Sequence, residues 1–446
     1  MKQKNLDRIR TTSADPLKNI ARHLPVDRCC ELAKVVGFQR RKPRKITPAV
    51  LVKALCVLAF YSKNSYELLA EIVGLLGGRP VSKQGTAKRL SASCVEFMRH
   101  ALFAVVSSIA RFRQFNKRGL FESFGRVLVH DSTSIKLHPR LAGAFPGSRN
   151  QTGKANAIIK IQAVYDLIGE RFLDFALSAF TRNDQAAAQD ILNVAKPGDL
   201  VLRDLGYFAC KVFTQFNKLG VFFLSRLRMK VGLMTEDGQP LDLLASLRKM
   251  GEFDQPVLLG AEEKVLVRLV AVPLAQAHAD ARRRKVKQNR DRRCAPNKKS
   301  LELLGWEIFV TNVSTEIWSP KNLQSVYALR WRIEIIFKTW KSHFHVSDMP
   351  AGSPNQVQAM LYARLLVISI FQSIFDPLAQ HLYNAYGRCL SLLRLGQFLN
   401  QNQWLITPMA QTSRGLQLIE KLITRHCCYD VRKDRVNYIE QRRRLS

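Results

Sequence analysis

The chain has 446 residues, far more than one small core needs, and 47% of them are hydrophobic, which excludes a disordered basic tail. Its 70 Lys and Arg stand against 35 Asp and Glu, a formal charge of +35. Such an excess repels itself unless a polyanion offsets it, and nucleic acid is the usual polyanion, releasing counterions as its phosphates are neutralised. A membrane surface is the alternative. Against it, the start "MKQKNLDRIRTTSADP" lacks the apolar core of a signal peptide, and the most apolar stretch, 359–375, is broken by Arg364 and shorter than a bilayer span. The nine cysteines are odd in number, scattered and without a C-x-x-C pair, which fits a reducing compartment; zinc ligation at "RHCC" (425–428) is the other reading.

Residues 1–120 read as helical and basic. Apolar residues recur at helical spacing over 46–61 and 65–78, the second run opened by a Ser cap and closed by Gly. Residues 79–98 read as the entry to a second helix pair, and Ser82, Lys83, Thr86, Lys88 and Arg89 are types that contact phosphate. A helix-turn-helix fits this stretch, as does any basic helical bundle.

The character changes near residue 125. Residues 125–137 form a β-like run, 156–180 two strands around a turn at 167–170, and 183–195 a helix. Residues 196–220 give turn, strand, Asp204 and helix, and 221–228 one more strand. This order predicts an α/β fold, a mixed sheet with helices on its faces. Residues 229–312 read as β-rich without a helix pattern. They are interrupted by a segment at 281–299 with ten basic residues against the single acid Asp291. That segment reads as a solvated loop or a contact with a phosphate backbone, and the overall charge favours contact. After residue 320 the chain is helical again, through a loop and buried helix at 349–375 to a basic end at 432–446. The expected units are 1–120, a helical DNA-binding region; 121–228 and 313–380, two parts of one core; 229–312, a β insertion; and 381–446, a helical basic C-terminus.

The run "YALRWRIEIIFKTWK" (327–341) carries the chemistry. At about 100° per residue, Tyr327, Arg330, Glu334 and Lys341 fall within roughly 60° of one another, while Ile333, Ile336, Phe337 and Trp340 form an apolar flank. Trp331 falls at the edge of the polar face, placed to pack beside it. An Arg330/Glu334 pair at i, i+4 explains the polar face as a minor salt bridge. Two strand-end acids change that reading: Asp131 follows "VLVH" and Asp204 follows "LVLR". Acids there face the crevice in which open α/β sheets bind ligands, although a single one commonly caps a turn. Three carboxylates can hold two Mg²⁺ ions, one activating a water or 3′-hydroxyl and the other stabilising the leaving oxygen.

The spacing Tyr327-x2-Arg330-x3-Glu334-x6-Lys341 resembles the YREK signature of DDE-class insertion-sequence transposases, in the group called insertion-sequence family four. "VLVHDSTSIKL" resembles the first-Asp motif of that family and "DLVLRDLGYF" the second, with Leu205 where the usual form has Arg. The resemblance runs from about 127 to 375 and weakens in the helical N-terminus. It implies an RNase H-like core interrupted by a β-rich insertion. It also implies cut-and-paste transposition: nicking at the element's ends, hairpin formation and resolution in some members, then strand transfer by the freed 3′-OH. Asp131, Asp204 and Glu334 are the implied metal triad for two Mg²⁺, with Mn²⁺ substituting. Tyr327, Arg330 and Lys341 are the implied phosphate contacts, with Arg332 and Lys338 of the same helix beside them on DNA. Trp306 in "GWEIFVTNV" stands where hairpin-forming relatives stack a flipped base, a role worth about 1–3 kcal/mol per base; a core Trp in a strand is the other reading. The implied partners are the terminal inverted repeats and target DNA, bound by a homodimer on paired ends in the bacterial cytoplasm and nucleoid. Rival readings are a stand-alone metal-dependent nuclease and a domesticated transposase that only binds DNA.

Overall fold

The structure, a computed structural model, describes residues 16–43, 45–61, 64–111, 119–148, 156–288, 297–429, 440 and 444–445. The helices α1 (Pro16–His23), α2 (Val26–Val35), α3 (Pro48–Leu58), α4 (Tyr66–Gly77), α5 (Lys83–Arg89) and α6 (Ala92–Arg111) come first. Their ends follow from local chemistry. Thr47 accepts the Val50 amide at the start of α3, where Pro48 has no amide hydrogen to leave unpaired. Ser65 caps α4 through the Leu68 amide, and Gly78 closes it at φ 67°, a left-handed backbone that glycine adopts without a Cβ clash.

The sheet begins with β1 (Val127–Leu137), β2 (Ala157–Asp166), β3 (Arg171–Ala179) and β4 (Leu200–Arg203), then α7 (Cys210–Leu219) and β5 (Phe222–Arg226). β2 runs antiparallel to β1 and β3, whereas β1, β4 and β5 are mutually parallel, in the order β3-β2-β1-β4-β5. This is the RNase H-like arrangement. The helix expected at 183–195 is absent: the segment closes mostly in i→i−3 turns, and only Asp190–Asn193 forms a 3₁₀ turn. Asn183 and Asp190 are drawn into local bonds, Asn183 to the Ala186 amide and Asp190 to Arg182, and such side chains favour turns over helix.

The insertion comprises β6 (Leu233–Met234), α8 (Leu243–Met250), β7 (Phe253–Leu259), β8 (Val265–Pro273), α9 (Gln276–Lys287), α10 (Lys298–Leu303) and β9 (Trp306–Thr311). Its three helices correct the strand-only expectation. Helix α9 buries only Ala279 and α10 buries no residue, so neither leaves an apolar period to read. The expected basic loop is therefore largely helical at both ends, and its middle, 289–296, lies outside the described residues. β9 pairs antiparallel with β5, which extends the core into one sheet of nine strands, β3-β2-β1-β4-β5-β9-β8-β7-β6.

The helices α11 (Pro320–Ala328), α12 (Trp331–His343), α13 (Pro354–Tyr386), α14 (Leu392–Met409) and α15 (Ser413–His426) complete the described chain. Ser353 and Gln356 form a reciprocal capping box at the start of α13. Helix α13 runs 33 residues, longer than the apolar stretch suggested, and α6 and α13 are each long and apolar enough to cross a membrane by length and composition. The apolar window of α13 is 83% buried, which marks it as the central helix of the core. Buried Arg364 bonds the Asp348 carbonyl from within it. One sheet face (Val127, Val129, Leu200, Leu202) packs in the large core with the long helices; the other (Leu128, Val201, Phe223) packs with α7 and the insertion.

Candidate active site

Strand register builds the site. Parallel pairing of β1 and β4 ends at His130↔Arg203, so the next residues, Asp131 and Asp204, stand side by side just past the end of β4. They occupy the face that also carries Val129 and Leu202, toward the long helices. Asp131 does not end its strand: β1 continues to Leu137, paired with β2 through Asp131↔Ala163. Asp204 caps a 3₁₀ turn through the Gly206 amide at 3.1 Å. Glu334 enters from the first turn of α12. One residue joins all three acids. Arg330 places Nη1 3.5 Å from Asp131 Oδ2, and Nη2 3.4 Å from Asp204 Oδ1 and 2.9 Å from Glu334 Oε1. The open cavity at this point, about 460 Å³, is lined by these four residues and by Ser132, Phe337, Lys338, Lys341 and Ser342.

The charges are strongly coupled. Burial pushes the Asp131 carboxyl up to about 7, and the neighbouring Asp204 and Glu334 add to it, against the Ser132 amide and Arg330. Burial works against the Arg330 charge as well, but Tyr327 and the three carboxylates outweigh it and raise its pKa. Partial burial lowers Lys341, although its side chain still reaches solvent.

The family model for the transposase DDE domain matches residues 122–370. The chain belongs to the DDE transposases. Similar proteins include the transposase for insertion sequence element IS231D of Bacillus thuringiensis subsp. finitimus, 28% identical over 90% of this chain and 88% of that one. The transposase for insertion sequence element IS1151 of Clostridium perfringens is 24% identical over 69% of each. A piggyBac transposase synaptic complex with hairpin DNA gives a TM-score of 0.42 at 10% identity, covering 96% of this chain and 89% of that one, too distant a likeness to argue from. The protein is thus an insertion-sequence transposase, an enzyme that cleaves and joins DNA.

Of the residues the sequence singled out in the transposase, Asp131, Asp204, Glu334, Arg330, Lys338 and Lys341 meet in one cavity. The other three, Tyr327, Arg332 and Trp306, lie outside its lining. The expected single helix is two, because at 329–333 the backbone tightens into i→i−3 bonds, such as Arg330 N to Tyr327 O at 3.1 Å. That overwinding turns Tyr327 inward: it is 4% exposed, and its hydroxyl donates to the Arg203 carbonyl at 3.1 Å, so it braces the end of β4. Arg332 is also buried, ion-paired with Glu170 at 3.1 Å. Trp331, expected to pack beside the site, does so from the solvent side: it is 58% exposed, and the Arg330 guanidinium lies 6.0 Å over its ring. Trp306 does not line the cavity; it is half-buried at the start of β9, with its indole N–H donating to the Gly251 carbonyl at 2.7 Å. In the N-terminal region, Ser82 caps α5, Thr86 is buried, Lys83 pairs with Glu67 at the surface and Arg89 lies over Phe38. The "RHCC" cysteines Cys427 and Cys428 are free thiols.

Arg226 escaped the sequence reading. Arg203 pairs with Ser225, so the next position along sets Arg226 beside Asp204. Its guanidinium lies 5.2 Å over the Tyr327 ring, with Arg330 at 5.7 Å, and it is ion-paired with buried Glu307. Only strand register reveals it, since no local motif marks the position.

DDE transposases depend on divalent metal, and the residues present fit one by donor type: every candidate ligand is a carboxylate oxygen, the donor for a hard cation. Among the described residues no three His, Cys, Asp or Glu side chains are grouped to share one ion as placed. Instead the carboxylates surround the Arg330 guanidinium, which stands in for a cation at their centre.

Proposed function

We propose that this transposase excises its insertion sequence by cut-and-paste transposition, with Asp131, Asp204 and Glu334 holding two Mg²⁺ ions that Mn²⁺ can replace. The observation that carries this reading is the convergence of three carboxylates, from β1, the end of β4 and α12, on one cationic centre at the mouth of a cavity. Bound there, the metal supplies activation of the attacking water or 3′-hydroxyl and charge stabilisation at the leaving oxygen. The chain's own residues do the rest. Asp131 is held by the β1–β2 ladder and gives a fixed first ligand. Exposed Lys338 and Lys341 grip phosphates at the lip as point charges, and Arg330 and Arg226, both against the Tyr327 ring, extend that grip inward.

Trp306, at the start of β9 and paired with Pro273 of β8, is the residue for stacking a flipped base in a hairpin step. The basic N-terminal helices and α9 bind the terminal repeats, and two protomers pair two ends. The protein acts on DNA in the bacterial cytoplasm and nucleoid. The test is incubation with the element's own end DNA and Mg²⁺ or Mn²⁺, reading nicks, hairpins and joined products. Nicks without joined products would reduce the reading to a nuclease, and no cleavage with binding intact would leave a DNA-binding protein.

A further inference from the structure

We infer that Arg330 is the resident cation of the metal-free site, and that metal enters by displacing its guanidinium from the three carboxylates. The inference rests on the reading of Asp131, Asp204 and Glu334 as metal ligands.

The contacts of Arg330 differ from those of a structural arginine in this protein. Arg182 forks onto Asp190 at 2.8 and 2.7 Å, and Arg268 onto Asp254 at 2.7 and 2.8 Å, each with two parallel bonds to one carboxylate. Arg330 forks onto none of its acids. It divides itself among three, with one hydrogen bond, to Glu334 at 2.9 Å, and two looser ion pairs at 3.4 and 3.5 Å. Its Nε has no hydrogen-bond partner although the atom is buried. The Tyr327 and Trp331 rings lie 5.7 and 6.0 Å from the guanidinium, and what sets Arg330 apart is that it offsets three acids without being locked to one.

Charge balance makes the two occupants exclusive. Three carboxylates with one guanidinium are still net negative, and that residual charge attracts a metal. Two divalent ions with the guanidinium still between the same oxygens would place like charges about 4 Å apart or closer, a strong repulsion in a partly buried site. Arg330 has a way out. It lies in the tightened turn between α11 and α12, and the cavity with Lys338 and Lys341 opens beside it. Displaced into that cavity, its fork faces the space where a phosphate would lie. Metal loading therefore frees a phosphate-binding group, and by reciprocity a phosphate that draws Arg330 away tightens metal binding. The DNA-free enzyme is held in a low-affinity state for metal.

The test uses the full chain without DNA, with Mn²⁺ as the probe and electron paramagnetic resonance counting free Mn²⁺, so no activity is read. Arg330→Met and Arg330→Gln are expected to bind Mn²⁺ at least about fivefold more tightly than wild type, the lower end of typical coupling. They are also expected to melt lower without Mn²⁺ and to recover more than wild type when it is added. Lys338→Ala, which removes a nearby positive charge that the acids do not surround, should change affinity less than about twofold. Unchanged or weaker Mn²⁺ binding in both Arg330 variants overturns the proposal, as does a folding defect that Mn²⁺ cannot repair. Equal tightening by Lys338→Ala also overturns it, because general charge would then suffice. Asp131→Asn separates the two layers: if it leaves Mn²⁺ binding intact, the ligand assignment itself falls and the displacement with it.

Discussion

Replacing Arg332 by Met removes a charge from the catalytic helix and leaves the side chain's length. Arg332 Nη2 lies 3.1 Å from Glu170 Oε2, and the two side chains are 4% and 2% exposed. Glu170 also accepts from the Tyr165 hydroxyl at 3.1 Å and Gln372 Nε2 at 3.2 Å, which ties the β2–β3 turn to α12 and α13. Removing one partner of a buried pair strands the other charge, at about 3–5 kcal/mol. Arg332→Met should therefore lower stability by about that much in chemical denaturation. The double variant Arg332→Met with Glu170→Gln should recover most of the loss, because no charge is left stranded. Binding to duplex DNA supplies the second measurement. Each phosphate contact contributes about 0.9 to the slope of log affinity against log salt. Measured well below its unfolding transition, Arg332→Met should keep the wild-type slope, whereas Lys338→Ala should lose about 0.9 of it. A slope that falls in Arg332→Met with stability unchanged would refute the structural assignment and restore Arg332 to the DNA.

Asp131→Asn, Asp204→Asn and Glu334→Gln should each cut metal-dependent cleavage by about a thousandfold or more while DNA binding persists, checked by nicking assay and gel shift. The raised Asp131 carboxyl has a pH consequence: between its ordinary 3.8 and about 7 the folded protein holds a proton that the unfolded chain has released. Metal-free stability from this group therefore falls as pH rises through that window, and Mn²⁺ affinity should fall about tenfold for each pH unit below about 7; affinity flat from pH 5 to 8 would contradict this. Tyr327→Phe loses the bond to the Arg203 carbonyl and should cost about 1 kcal/mol in denaturation, with the salt slope of DNA binding unchanged. Trp306→Ala should slow hairpin formation or resolution more than first-strand nicking, and equal slowing of all steps would return Trp306 to a packing role.

What was legible in the sequence was whatever rests on local pattern. The strand runs before Asp131 and Asp204, the caps at Ser65 and Gly78, and the turn between β2 and β3 all follow from side chains a few residues apart. What escaped depends on tertiary placement. A wheel assumes one unbroken helix, so it set Tyr327 on the polar face, and the i→i−3 bonds at 329–333 turned it into the core. Arg332 carried the charge of a surface residue, and only the distant Glu170 makes its burial tolerable. Arg226 gains meaning only from its register with Asp204. Helix α9 could not be read because most of its residues are polar and its burial is confined to Ala279.

The correction to Asp131 bears on how the three acids divide their work. A strand-end acid would sit on a loop and move with it. Asp131 instead lies inside an antiparallel ladder, with its Oδ1 accepting the Ser132 amide at 2.7 Å, and its side chain is 16% exposed. The Asp204 side chain is 38% exposed on a 3₁₀ turn, and that of Glu334 is 36% exposed at the start of a helix. The turn and the helix start are the parts of the site that can shift without breaking sheet hydrogen bonds. The rigid acid thus sets the position of the centre, and the two more exposed acids can close on whatever cation occupies it. That division suits a site that exchanges one cation for another, since closure around a smaller, more highly charged ion than a guanidinium asks movement of Asp204 and Glu334 and none of Asp131.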